Sequence, residues 1–289
     1  MDLCMKNGTL IAYKKLKHKI KKEAYMRAFK TLKILFFIAA LLIPSLSFAK
    51  SQVKASQIID QINTGKAVQY KDVEIVGDLD FTSIKDVTVD EESERSWRRH
   101  RSSTLSYWCH VRTPVSFVNC IFKDDVLAYI HDDDENETYN AIFYEDVDFQ
   151  GCEFQGKSAF KYVKFKKNAD FKNTTYHDEA LFKYTKFSTD VSFSNAHFNR
   201  DANFKYTSFP EFVSFDKATF RRLANFKYTE FPEGVTFENS QFEGDADFKY
   251  TKFSNPVNFD GAVFEGDANF KYTKMDNRSF VTYLLKRKR

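Results

Sequence analysis

The chain has 289 residues, 43% of them hydrophobic and 29% charged, with 32 Phe against only 9 Gly and 5 Pro. That many rings beside so much charge exclude a disordered or low-complexity chain and call for a thin, regular, ring-filled core inside a charged skin. The formal net charge of +4 is concentrated in residues 1–49, where ten Lys/Arg and two Asp/Glu contribute +8; the remainder is near −4, which argues against global basicity as a means of attracting nucleic acid.

Residues 1–49 read as a secretory signal peptide. A basic stretch over residues 14–33 precedes an apolar run over 34–43, then Pro44 and the small-residue end Ser47-Phe48-Ala49, the n-region, h-region and cleavage pattern of an export signal. Met26, followed by Arg27, Lys30 and Lys33, offers an alternative start with an n-region of ordinary length. The expectation is a periplasmic or secreted protein cleaved after Ala49, touching the membrane only through this segment before cleavage. Retention as an anchor is the competing outcome, but ten strongly apolar residues fall short of the roughly 20 needed to span a bilayer.

Residues 50–70 form the lead-in. Residues 56–63, with Ile58, Ile59 and Ile62 and then Gly65, predict a short amphipathic helix covering one end of the repetitive region.

Residues 71–275 are that repetitive region. From Phe149 an aromatic recurs in alternating steps of five and six: Phe149, Phe154, Phe160, Phe165, Phe171, Tyr176, Phe182, Phe187, and on to Phe264, Phe270 and Met275. A stronger identity returns at twice that period, because Phe-Lys-Tyr begins at Phe160, Phe182, Phe204, Phe226, Phe248 and Phe270. The predicted coil is therefore 22 residues long with four inward anchors. The residue two before each anchor is also typed: Ala180, Ala202 and Ala224 in one column, Thr185, Thr207 and Thr229 in the next, Val191, Val213 and Val235 in the third, and Ala196, Ala218 and Ser240 in the fourth. Positions i−2 and i share one face of a strand, whereas a helix needs apolar steps of three and four.

These residues carry a resemblance. Ala246-Asp247-Phe248-Lys249-Tyr250 and Ala268-Asn269-Phe270-Lys271-Tyr272 match the small-polar-Phe/Leu-polar-polar motif of the pentapeptide-repeat family, and the match runs roughly over residues 73–275. The resemblance implies an all-β solenoid, a right-handed quadrilateral parallel β-helix. The sixth residue on alternate sides departs from the motif and predicts two wider corners per coil.

The register continues upstream through two insertions, read as loops at about 90–103 and 131–140. With them counted, about eight coils are expected. Residues 276–289 predict a second cap, a helix started by Asp276, carrying Phe280, Tyr283, Leu284 and Leu285 and ending in the basic tail 286–289.

Candidate chemistry lies mostly outside the core. The outward column Lys161, Lys183, Lys205, Lys227, Lys249 and Lys271, beside Tyr162, Tyr184, Tyr206, Tyr228, Tyr250 and Tyr272, reads either as a linear binding strip, cationic and aromatic, or as tyrosines packed along a corner under snorkelling lysine stems. Trp97, Arg98 and Arg99 give the first insertion the character of an interaction patch, unless it simply pairs with the acidic second one. In that second insertion Asp132, Asp134 and Asn136 have the alternate spacing of calcium ligands, without the Gly and distal Glu that complete such a loop. Cys109, Cys120 and Cys152 occupy small inward positions; Cys120 and Cys152 share a column on successive coils and form a candidate disulfide, although parallel side chains make poor bridge geometry.

No nucleophile motif or phosphate loop is present, and no cofactor is implied. The leading expectation is a non-enzymatic exported scaffold that presents a binding surface to a protein or an anionic or carbohydrate polymer of the cell envelope. The alternative is a carbohydrate-binding or carbohydrate-cleaving β-helix working through the Tyr/Lys column with Asp201, Asp245 and Asp267. The resemblance also implies a DNA-mimicking, gyrase-protecting role, but those proteins offer a strongly acidic face and work in the cytoplasm; a lysine column and an export signal place that last, and nucleic acid is not an expected partner.

Overall fold

Strands, most of them only two residues long, run from Gln52–Lys54 to Arg278–Ser279 and stack in parallel with their counterparts on neighbouring coils. The computed structural model describes residues 50–99, 103–276 and 278–280. The predicted signal segment at 1–49 lies outside the described residues.

The stacking produces four faces of a right-handed parallel β-helix. In the order the chain visits them, the first has eight strands including Val147–Asp148, the second nine including Glu153–Phe154, and the third eight including Ser158–Ala159. The fourth begins at Lys164–Phe165, continues through single bridges at Lys186 and Ser208, and resumes as strands from Glu230–Phe231. Register keeps like residues in line: Ala180 pairs with Ala202, Ala202 with Ala224, and Ala224 with Ala246.

The anchors fill the interior. Phe182, Phe204, Phe226 and Phe248 stack along the axis at 5.0–5.1 Å with planes within 6°. Across the core each meets a ring of the first face edge-on, as Phe204 meets Phe215 at 5.2 Å and 80°; both are favoured aromatic geometries. The buried threonine column is satisfied in a repeated way: the hydroxyls of Thr185, Thr207, Thr229, Thr251 and Thr273 donate to the carbonyls of Phe160, Phe182, Phe204, Phe226 and Phe248 at 2.6–2.7 Å.

At the beginning of the stack, helix α1 (Ala55–Asn63) buries Ala55, Ile58, Ile59 and Ile62. The predicted helix is there, started one residue earlier and preceded by a strand. At the other end Arg278–Ser279 folds back antiparallel on Lys274–Met275, and Phe280 covers the last rings, 5.0 Å from Phe253 and 5.1 Å from Phe270. Asp276 sits in the intervening turn with φ of 46°. The remainder of the predicted second cap, including Tyr283, Leu284, Leu285 and the basic tail, lies outside the described residues.

The two insertions are not loops. The first holds helix α2 (Glu91–Arg99) between the antiparallel strands Val87–Val89 and Leu105–Val111. The second is a hairpin of Tyr129–Asp132 and Glu137–Phe143. Strands Leu105–Val111 and Glu137–Phe143 pair in parallel, and the latter also joins Lys164–Phe165, so the insertions extend the fourth face as one mixed sheet. Their strands escape the five-and-six rhythm, and for that reason they read as loops.

Candidate functional site

The tight corners, where anchors are five apart, force one residue per turn into the left-handed region. Between the first and second faces that residue is Asn119, Gly151, Asn173, Asn195, Lys217, Asn239 and Gly261 in successive coils, with φ of 53–71°. Asn and Gly are the residues that tolerate this conformation best. Between the third and fourth faces it is Tyr162, Tyr184, Tyr206, Tyr228, Tyr250 and Tyr272, with φ of 59–63°. A bulky side chain there costs roughly 1–2 kcal/mol.

The tyrosines recover part of that cost by stacking. Tyr162 to Tyr272 form one column with centroids 4.7–4.9 Å apart and planes within 13°. Five of the six adjacent lysines lie over this column: Lys161, Lys183, Lys205, Lys249 and Lys271 place Nζ 4.9–5.1 Å from the ring of the next tyrosine in the chain. Lys227 instead reaches Asp247 at 3.6 Å. The turn is held by a carboxamide or carboxylate two residues before the lysine, as Asn203 and Asn225 accept from the N–H of Lys205 and Lys227 at 3.2 Å.

The six lysines are thus gathered on one edge and repel one another. Burial, and then Lys205 and Lys161, push the Lys183 ammonium below its ordinary pKa. The packed-corner reading describes the local geometry: rings along the corner, lysine stems across them.

The other sequence candidates fare differently. Trp97, Arg98 and Arg99 are exposed on α2, but two of the helix's three arginines turn to its own acids, Arg98 to Glu94 at 2.5 Å and Arg95 to Glu91 at 3.7 Å. The basic and acidic insertions meet through their backbones and through Thr104, whose hydroxyl donates to Asn136 Oδ1 at 3.0 Å. The predicted metal ligands are not assembled: Asp132 Oδ1 accepts from the N–H groups of Asp134 and Glu135 at the hairpin tip, and among the described residues no group of three or more His, Cys, Asp or Glu side chains is arranged to hold an ion. Asp132, Asp134 and Asn136 therefore build a turn.

Cys120 and Cys152 are buried free thiols, as is Cys109, which corrects the candidate disulfide. Side by side on parallel coils, they point the same way; Cys152 Sγ lies 3.1 Å from the carbonyl of Phe117 and Cys120 Sγ 3.5 Å from that of Val118. A hydrogen bond from Cys152 lowers the pKa of the Cys120 thiol, while burial drives that of Cys152 up.

Asp201, Asp245 and Asp267, weighed as acids for sugar cleavage, sit at the wide corner between the second and third faces. Asp201 Oδ1 accepts from the N–H of Leu223 at 3.3 Å and Asp245 Oδ1 from that of Asp267 at 3.0 Å. The Asp201 and Asp245 carboxylates tie successive coils together and line a groove that contains no residue of the Tyr–Lys edge.

Sequence reasoning missed Trp108, Tyr129 and Asn140, which the inserted sheet places in a row beside Lys161. For Trp108 the sequence carries only the alternation of Leu105–Val111, blurred because both of its faces are partly apolar, and the five-and-six rhythm marks neither Tyr129 nor Asn140.

A protein-family comparison matches the description "Pentapeptide repeats (9 copies)" over residues 139–185, 160–208, 204–252 and 248–281. No curated protein and no solved structure matches the chain.

Proposed function

Because the chain belongs, through residues 139–281, to the pentapeptide-repeat family, we propose that this scaffold is a non-enzymatic, exported one whose Tyr–Lys edge docks an anionic polymer of the cell envelope. Members of this family are generally structural or binding proteins. The observation that carries the proposal is the contrast between the two tight corners. Duplication of a repeat copies surface residues along with core ones, and by itself treats both corners alike. Yet the corner that backbone preference governs has drifted among Asn, Gly and Lys, while the opposite one keeps Lys-Tyr in all six coils from Lys161 to Tyr272 against its conformational preference. A ladder of ammoniums at coil spacing also favours a partner of repeating negative charge, whose binding relieves the mutual repulsion that, after burial, lowers the Lys183 pKa.

The test is fractionation of cells expressing the full chain, with N-terminal sequencing of the product, beside a variant carrying Lys183→Ala, Lys205→Ala, Lys227→Ala and Lys249→Ala. The proposal expects a mature start at Lys50, wild-type protein retained on the envelope at low salt and released at high salt, and the variant released at both. Uncleaved cytoplasmic protein, or a variant retained as firmly as wild type, contradicts it.

A further inference from the structure

At the end of the edge nearest the insertions a cleft of about 340 Å³ opens between the inserted sheet and the Lys161-Tyr162 corner. Strand register builds it. Trp108 pairs with Asn140, and Asn140 with Tyr129, so these three stand in a row across three neighbouring strands and share one face. Tyr162, the first ring of the stacked column, closes the side, 5.8 Å from Tyr129.

The rings are held in place before any ligand arrives. The Trp108 indole N–H donates to Asp90 Oδ1 at 3.0 Å, and Asp90 Oδ2 accepts from the N–H of Ser93 at 3.0 Å. Lys161 Nζ donates to the Tyr129 hydroxyl at 2.8 Å and lies 4.5 Å from the Tyr129 ring. One polar atom is left over. Asn140 is only 3% exposed; its Nδ2 donates to the Tyr107 carbonyl at 3.3 Å, but Oδ1 has no partner. A buried carbonyl oxygen in the wall of a cleft calls for a donor.

Charge narrows the occupant further. Apart from the tyrosines, Lys161, Asp90 and His131 are the ionisable groups that line the cleft, and Lys164 Nζ sits 3.4 Å from the centre of the Trp108 ring; the Asp90 carboxylate is already committed to Trp108 and Ser93. The occupant thus has a flat face to lie on aromatic rings, a hydroxyl to donate to Asn140, and an acid group for the lysines. We propose that the cleft binds one acidic pyranose, a sugar ring carrying a carboxylate or an equivalent anion, seated on Trp108 and Tyr129. The volume suits a single ring. The site takes either a free acidic sugar or the last unit of an acidic polysaccharide whose other units run along the tyrosine column. In the second case the inference rests on the edge being a polymer-docking strip and names that polymer's chemistry.

The test is isothermal titration of the full chain with free galacturonate and with a galacturonate oligomer, using galactose as the neutral ring and adenosine monophosphate as the flat phosphate. The expected result is saturable binding of both acidic sugars, with galactose and the nucleotide weaker by about tenfold or more. Asn140→Ala and Lys161→Met each weaken galacturonate by about tenfold while thermal melting shows both variants folded. Should a variant not fold, the wild-type preference of acid over neutral ring decides alone. Equal affinity for galactose, tighter binding of the nucleotide, or binding of the oligomer without the monomer overturns the inference. Failure here is distinguishable from failure of the edge, because Lys183, Lys205, Lys227 and Lys249 do not line the cleft and the fractionation experiment reads them separately.

Discussion

At the scale of single residues the tyrosine corner is a contest between two comparable energies. The left-handed backbone costs roughly 1–2 kcal/mol for a side chain of this kind, and each aromatic stack returns about 0.5–1.5 kcal/mol beyond burial. Tyr206, stacked on Tyr184 at 4.8 Å and on Tyr228 at 4.7 Å, balances two stacks against one strained turn. Replacing it with Ala keeps the strain and removes both stacks, whereas Asn removes the stacks but suits the turn, as Asn195 and Asn239 do on the opposite corner. Tyr206→Ala is therefore expected to lose about 1–3 kcal/mol and Tyr206→Asn less, measured by urea denaturation. The reverse order would mean that left-handed strain is not what the ring offsets. Spacing in the sequence located these tyrosines and their lysines; it could not reveal the positive φ, because in other proteins that conformation is announced by Gly or Asn and here the signal residue is absent.

At the scale of elements, the repeat's strands are legible because each of their inward positions has one residue type for many coils, and the buried threonines fit by donating to the preceding coil. The insertions were illegible for the opposite reason. A strand such as Leu105–Val111 alternates Tyr107, Cys109 and Val111 against Trp108 and His110, both sets partly apolar, so neither face is marked as the inside. The wide corners carry their own electrostatics. Glu179, in the groove with Asp178 and Asp201, has its carboxyl raised above the ordinary value by burial first and then by Asp201 and Asp178. A folded-state pKa above the unfolded one means that the folded chain holds the extra proton. The resulting stability is complete below the unfolded value and is lost as pH rises through the folded one. Glu179→Gln is accordingly expected to raise the thermal midpoint at neutral pH, with the gain shrinking to nothing as the pH falls below the ordinary glutamate range. A gain that persisted at acid pH would assign the effect to packing instead.

At the scale of the molecule, coils that contact only their neighbours make a stack whose stability is the sum of repeated interfaces, and whose surfaces are consequently lines. One line, along the first tight corner, follows backbone preference; another, along the second, departs from it in every coil and collects the lysines. The central claim is that this second line is the docking surface. The measurement that tests it most directly is lysine acetylation read by mass spectrometry, on the full chain with and without isolated envelope material. The account predicts that Lys183, Lys205, Lys227 and Lys249 become protected while Lys172 and Lys217, on the opposite corner, react as before. Protection of Lys172 and Lys217 to the same extent, or of no lysine at all, would contradict it.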